Sequence, residues 1–517
     1  MIYAAKGGTQ VVVPWQPEIA SLIPHAREIA HAGERMLVIP YGRDEAKLCR
    51  NLGLPVPSPI MARYDWPGNR PPWDAQKLTA AMLTESQRAY VLSTMGTGKT
   101  RATIWALDFL RREGKVKRVL IAAPLSTLSL VWEQELFAVL PHARVRVLHG
   151  ERKKRRALLA EDADFYIINH HGLAVLRDEL AKRGFGVFVI DELAVLRNKS
   201  SQLWKAAATV VDRIPYVWGL TGSPTPTSPV DAYAQVRLLT PNMVPKSIGG
   251  FRDLVERKVS QFKWLVRPEA NQIVHRAMQP SVRFTREDIM ELPPTTYIDR
   301  KVMLGAEAKA AYKMLFDKMR VKTGDGRSIT AVNEGVLQMK LVQVACGYIY
   351  TDNRTVYELP NHDRLKALDD TIMECDRKLL VFVPFVHALN GVATYLRKQG
   401  HSVEVVYGAT SRAARDKIFN NFRNDADPRI IVAHPQTMAH GLTLTEANTI
   451  VWYAPIDKLE IYEQANARVT RPGQTSKTLI VHLSGTPVER AAYRRLKSRA
   501  SMQGVLLELF AQQELDF

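Results

Sequence analysis

Two blocks of short apolar runs, each run set between helical stretches, leave this chain few folds to adopt. Ala89–Ser93, Arg118–Ala123, Phe165–Ile168, Val187–Ile190 and Tyr216–Leu220 make the first block. Lys378–Val383, Ser402–Val406, Arg429–Ala433, Thr449–Tyr453 and Thr478–His482 make the second. Runs that are apolar throughout suit strands buried on both faces, and the helices between them supply the crossovers that a parallel sheet requires. The expected class is α/β, with two tandem doubly wound parallel-sheet lobes, helical insertions and a small N-terminal α/β domain. That domain spans 1–70, with strands at Val11–Pro14 and Met36–Pro40 and a proline-rich linker from Pro55 to Pro72. Lobe 1 is expected over 71–240, helical insertions and the inter-lobe hinge over 241–362, and lobe 2 over 363–517.

The 517 residues suffice for two to four domains, and the 46% hydrophobic and 24% charged content is that of a soluble globular chain. The formal net charge of +19 is not ordinary and favours a polyanionic partner, nucleic acid before others. Cys49, Cys346 and Cys375 lie scattered, without the spacing of a metal site or a disulfide framework, which suits a reducing compartment. No apolar run approaches the ~20 residues that span a bilayer, and a Gly-Gly pair follows Met1–Lys6 at once. The expected location is the cytoplasm.

The chemistry begins at Ser93-Thr-Met-Gly-Thr-Gly-Lys-Thr100, a glycine loop that follows a strand and opens a helical run. In that context Met95, Gly96, Thr97 and Gly98 offer backbone N–H groups to phosphates, and the helix N-terminus adds favourable partial charge. Lys99 is expected on the β/γ-phosphates of ATP and Thr100 on Mg²⁺. Ser93 stands where the strict pattern has glycine. The apolar run ending at Ile190 leads into Asp191-Glu192. An aspartate at such a strand tip can hold the metal, and the adjacent glutamate can orient and deprotonate water. Gln76, upstream of the loop, can read both donor and acceptor on an adenine edge. Far downstream, Gln464-Ala-Asn-Ala-Arg-Val-Thr-Arg-Pro-Gly-Gln474 offers Arg468 and Arg471 beside Gln464 and Gln474. Read as helical from Lys458 to about Thr470, that segment puts both guanidinium groups on one face. They are expected to stabilise charge in phosphoryl transfer, with Gln464 among the nucleotide ligands.

Taken together, these motifs resemble superfamily 2 helicases, specifically the Swi/Snf-like DNA translocases, over about residues 70–500. Pro124–Trp132 looks like motif Ia, Ile167–Asn169 motif Ib, Asp191–Asn198 motif II and Leu220–Pro226 motif III. His440–Thr445 looks like motif V, and Gln464–Gln474 is close to motif VI. Within that branch, Ala433–Gly441, Trp452 and Gln464–Arg468 are similar to the compact bacteriophage and prophage type. Where the family often has histidine at the end of motif II, Ala194 stands here. Thr227 and Thr443 replace asparagines in motifs III and V. The Ser-Ala-Thr and His-Arg-x-Gly-Arg strings of the RNA-helicase branch are missing.

The resemblance implies RecA-like lobes that close on Mg-ATP and a DNA-dependent ATPase coupled to movement along or remodelling of DNA. It implies backbone contacts to DNA through Ser126, His170, Thr437 and Thr443, and coupling through Thr221 and Ser223. Phosphate contacts of that kind fix position without reading sequence. The basic run Arg152–Arg156 is a second candidate for DNA contact. A monomer is expected, in a bacterial cytoplasm or infected cell, with replication or recombination proteins as candidate partners. Two rival readings are a fork-remodelling or annealing helicase, whose first 70 residues recognise DNA structure, and a non-hydrolysing DNA-binding scaffold.

Overall fold

The structure is a computed structural model that describes residues 3–4, 8–260, 263–289, 293–321, 331–350, 356–438, 443–471 and 473–498. His440 to Leu442 of the motif V string and Pro472 of motif VI lie outside the described residues. Two compact units divide between Ile289 and Met290.

The chain opens with β1 (Tyr3–Ala4), β2 (Gln10–Pro14), β3 (Arg27–His31) and β4 (Glu34–Pro40), an antiparallel sheet ordered β1-β2-β4-β3. The apolar strands β2 and β4 were legible in the sequence. β3 was not, because all its residues but Ile29 are exposed and they carry no apolar alternation. Val13, Ile19, Leu37, Ile39 and Cys49 form the core of this small sheet. It is tied to the rest of its unit by polar contacts. Arg43 Nη1 donates to the Tyr216 hydroxyl at 2.8 Å, and Arg50 pairs with the nearly buried Glu85 at 2.6 Å.

Seven strands build the main sheet of the first unit: β5 (Arg88–Val91), β6 (Val119–Ala123), β7 (Val145–Leu148), β8 (Phe165–Asn169), β9 (Val187–Asp191), β10 (Tyr216–Leu220) and β13 (Ser281–Val282). Their order is β13-β5-β10-β9-β6-β8-β7, and every pairing is parallel. The central strands β6, β8 and β10 are buried at every position, as a sheet covered by helices on both faces demands. One apolar cluster, around Phe188, Tyr166 and Val236, covers one face; another, around Trp105, Trp132 and Trp218, covers the other. Between β10 and β13 the chain makes a separate two-stranded ribbon, β11 (Glu256–Ser260) with β12 (Lys263–Val266).

The second unit carries β14 (Thr295–Lys301), a hairpin of β15 (Tyr348–Tyr350) with β16 (Val356–Glu358), then β17 (Lys378–Phe382), β18 (Val403–Val406), β19 (Ile430–Ala433), β20 (Ala447–Trp452) and β21 (Thr478–Ser484). Its six-stranded parallel sheet runs β14-β21-β20-β17-β19-β18. The stretch 241–362, read from sequence as insertions and hinge, thus contains β13, which completes the first sheet, and β14, which completes the second. Both are edge strands. One is two residues long and the other largely exposed, so neither shows an apolar run.

Candidate active site

In the first unit the sequence-marked residues collect at the carboxyl ends of the parallel strands, where α/β sheets place ligands. The glycine loop follows β5, Asp191 ends β9, Thr221 follows β10, and His170 follows β8. Gly96 and Gly98 hold φ of +87° and +74°, which an ordinary side chain resists. Gly98 is closed by contact as well, since a Cβ there would stand 2.0 Å from Gln76 Nε2. Gln76 itself is buried. Its Oε1 accepts from Trp73 N at 3.0 Å, and its Nε2 donates to Gly98 O at 3.4 Å, so it joins the loop to the helix Asp74–Glu85.

Lys99 opens the helix Lys99–Arg112 and folds back into the loop, its Nζ donating to Ser93 O at 2.6 Å and Thr94 O at 3.1 Å. Loss of hydration draws its pKa below the usual lysine value, and the carboxylates of Glu192 and then Asp191 oppose that pull. Thr97 Oγ1 donates to Thr94 O at 2.9 Å, which tightens the same turn. Thr100 follows in the first turn of the helix.

The carboxylate of Asp191 is held from both sides. Trp132 Nε1 donates to Oδ2 at 2.9 Å, and Glu192 N donates to Oδ1 at 3.1 Å. Glu192 sits at φ +52°, a left-handed backbone that costs a residue with a side chain on the order of 1–3 kcal/mol. The motif III glycine lies beside the loop, because a Cβ on Gly222 would be 3.5 Å from Ser93 O and 3.9 Å from Lys99 Nζ. Thr221 Oγ1 accepts from Ser223 N at 3.2 Å, which shapes that turn.

Sequence reasoning missed the segment after β13. Thr94 N donates to Phe284 O at 2.9 Å, and Phe284 N donates to Ser93 Oγ at 2.9 Å. Arg286 Nε then donates to Met95 O at 2.7 Å. Ser93, the departure from the glycine pattern, is thereby explained as an acceptor that ties residues 284–286 to the loop. Nothing in local sequence signals a contact across some 190 residues. Ser93→Gly is expected to strand the Phe284 N–H and cost the first unit about 1–3 kcal/mol. Denaturant unfolding checks this, and unchanged stability would mean that the backbone ladder alone suffices.

Of the expected DNA contacts in this unit, His170 is buried, and its Nε2 pairs with Asp191 O at 2.7 Å. Burial lowers its pKa to about 4, so the ring is neutral at pH 7. Geometrically it links the string after β8 to Asp191 and is turned away from solvent. Ser126 Oγ is likewise shielded from solvent. The basic run forms the helix Arg152–Ala160, in which Arg155 Nη1 donates to Asn169 Oδ1 and Arg156 pairs with Glu179.

In the second unit the helix containing Gln464 ends at Asn466, short of the expected Thr470. The chain then turns through 467–469, so Arg468 and Arg471 do not share a helical face. The physical cause is local. Asn466 Oδ1 accepts from Trp452 Nε1 at 2.9 Å, and the Gln474 amide donates to Val469 O at 3.2 Å and Ala447 O at 2.8 Å. Arg468 N donates to Ala465 O and Val469 N to Asn466 O, each at 3.2 Å and three residues back, and this tighter turn closes the helix. Gln464 and Arg468 are buried, with Arg468 Nε donating to Gln464 O at 3.0 Å. Arg471 is half-buried; its Nη1 donates to Thr443 Oγ1 at 3.1 Å and its Nε to Ala467 O at 2.8 Å. Thr437 Oγ1 donates to His434 O at 2.7 Å, at the carboxyl end of β19. His434 and Gln436 line a cavity of about 380 Å³ there, together with Phe385, Ile456, Lys458 and Arg495.

The chain is 25% identical over 461 residues to protein p41 of Acyrthosiphon pisum secondary endosymbiont phage 1, covering 84% of this chain and 97% of that protein. It is 24% identical over 416 residues to an uncharacterized ATP-dependent helicase of Mycoplasma genitalium, covering 77% of this chain and 38% of that longer protein. A solved structure of the Sulfolobus solfataricus SWI2/SNF2 ATPase core in complex with dsDNA matches at 22% identity and a TM-score of 0.41, covering 86% of this chain and 95% of that one. A family model described as SNF2-related domain matches residues 80–346, and one described as helicase conserved C-terminal domain matches 363–473. The chain belongs to the SNF2-related family.

Proposed function

We propose that this protein is a DNA-dependent ATPase that couples hydrolysis to translocation along duplex DNA. One observation carries the reading: Lys99 stands in a glycine loop at the end of β5, electrostatically engaged with Glu192 and Asp191 from the end of β9. An ammonium, two adjacent carboxylates and a run of backbone N–H groups at a helix N-terminus form a donor set that fits a nucleotide's phosphates and a divalent cation. A Cβ on Gly98 would stand 2.0 Å from Gln76 Nε2, so glycine is what lets the loop pack this closely on the Gln76 side chain.

In this reading Lys99 exchanges its two carbonyl partners for phosphate oxygens. Gln76 holds the loop to the helix Asp74–Glu85, and Glu192 orients the attacking water and accepts its proton. Thr100 and Asp191 would hold Mg²⁺, which supplies charge neutralisation and Lewis acidity on the phosphates. Trp132 and the Glu192 amide keep the Asp191 carboxylate aimed. In the second unit, Arg468 and Arg471 are the residues to which the helicase resemblance gives the stabilising of transition-state charge. Membership of the SNF2-related family and the net charge of +19 support DNA as the partner.

The test is ATP turnover by the purified chain against duplex, forked and single-stranded DNA and RNA, at two salt concentrations. DNA should stimulate turnover, and Lys99→Ala should abolish the stimulation. An ATPase indifferent to DNA, or one that survives Lys99→Ala, would sink the reading.

A further inference from the structure

Hydrolysis does not account for the ribbon β11–β12. Among the described residues it pairs only with itself, and from Arg257 to Ser260 every residue of β11 is exposed. A lone two-stranded ribbon is marginal in water unless its base is held. Here Arg267 N donates to Val255 O at 2.9 Å and Arg267 Nε to Asp253 O at 2.9 Å, and Glu256 is buried. The ribbon is thus anchored at its root, while Arg257 to Ser260, Leu265 and Val266 are open to solvent.

The register puts Arg257 opposite Leu265 and Lys258 opposite Trp264, so the two cations lie on opposite faces. On the second face Lys258 Nζ lies 6.0 Å, and the Arg252 guanidinium 5.2 Å, from the Trp264 ring centre. Val259 is 53% exposed and Leu265 39%. Over 246–267 the basic residues are Lys246, Arg252, Arg257, Lys258, Lys263 and Arg267, against Asp253 and Glu256, a net charge of +4 (six minus two). Apolar side chains left in water among cations mark a surface that meets a partner, and the charge selects a polyanion. The major groove of a duplex admits a two-stranded ribbon.

We infer that β11–β12 is a DNA arm that lies along a groove of duplex DNA. Arg257 and Lys258 reach phosphates on its two sides, and Val259 and Leu265 pack against sugars. The inference rests on the DNA-dependent reading above but assigns contacts outside the motifs that define it.

The test uses the full chain with Arg257→Ala and Lys258→Ala combined, and titrates a labelled duplex from about 50 mM to about 200 mM salt. The salt slope of binding should flatten by about two, so the affinity lost across that range shrinks about tenfold. ATP turnover without DNA and the unfolding midpoint should not move. If wild type binds duplex and the variant keeps both affinity and slope, the arm is overturned while the ATPase reading stands. Loss confined to single strands, or to a protein or lipid ligand, also overturns it. Wild type that binds no DNA overturns both.

Discussion

Replacing Glu192 with glutamine is expected to lower DNA-stimulated ATP turnover by about 10²–10⁴-fold while nucleotide affinity stays close to wild type. The amide keeps the size of the side chain and can still touch a water, but it cannot take the proton. The backbone has no reason to shift, because the left-handed turn and the Glu192 N to Asp191 Oδ1 bond involve main chain alone on the Glu192 side. Lys99→Ala should differ by weakening binding as well as turnover. A pH profile sharpens the comparison. The Glu192 carboxylate opposes the desolvation that lowers Lys99, so its neutralisation should draw the lysine pKa down further and bring the alkaline loss of activity to lower pH. Single-turnover hydrolysis beside equilibrium binding of a fluorescent nucleotide reads these effects. Undiminished turnover, or affinity that falls in step with turnover, would remove Glu192 from the role of base.

The largest stability effect is expected in the second unit, at Arg364 and Glu489. Their side chains are 2% and 0% exposed, and they pair directly. Arg364 also donates to Tyr453 O at 2.6 Å and Ala345 O at 2.8 Å, while Glu489 Oε2 accepts from Gly485 N at 2.9 Å and Thr486 N at 3.0 Å. The pair therefore binds the ends of β20 and β21 to the helices Ala331–Ala345 and His362–Met373. Glu489→Gln should cost this unit about 3–5 kcal/mol, because it leaves a guanidinium buried without its counter-charge. The paired change Arg364→Met with Glu489→Leu should cost less than the single one, since it removes both charges at once. Denaturant unfolding of the three proteins decides. A single variant within ~1 kcal/mol of wild type would mean that the carbonyls alone satisfy Arg364.

The parallel strands and the glycine loop were legible because fully buried strands write themselves as unbroken apolar runs. β7 escaped because Arg146 interrupts it and its face is half-exposed. β13 and β14 escaped because edge strands are short or polar. At the candidate site, local spacing marked Lys99, Asp191, Glu192 and the arginines near Gln464. It could not show that Gln76 holds the loop at Gly98, or that His170 faces Asp191. The helix overran to Thr470 in the sequence reading because nothing local signals the tighter turn at Arg468 and Val469, or the distant Trp452 that holds Asn466.

The tie between Ser93 and Phe284 also sets an order of assembly. During synthesis the glycine loop emerges early, yet its Ser93 hydroxyl and the Thr94 N–H find their partners only after residue 284 has been made. Pairing across such a separation closes late, since the intervening chain must be ordered first. A nascent chain ending near residue 280 would hold β5 as an uncovered sheet edge, a state prone to mispairing. The glycine loop is thus finished by the last strand made before the chain crosses into its second unit, so the candidate site matures as that unit begins to be built.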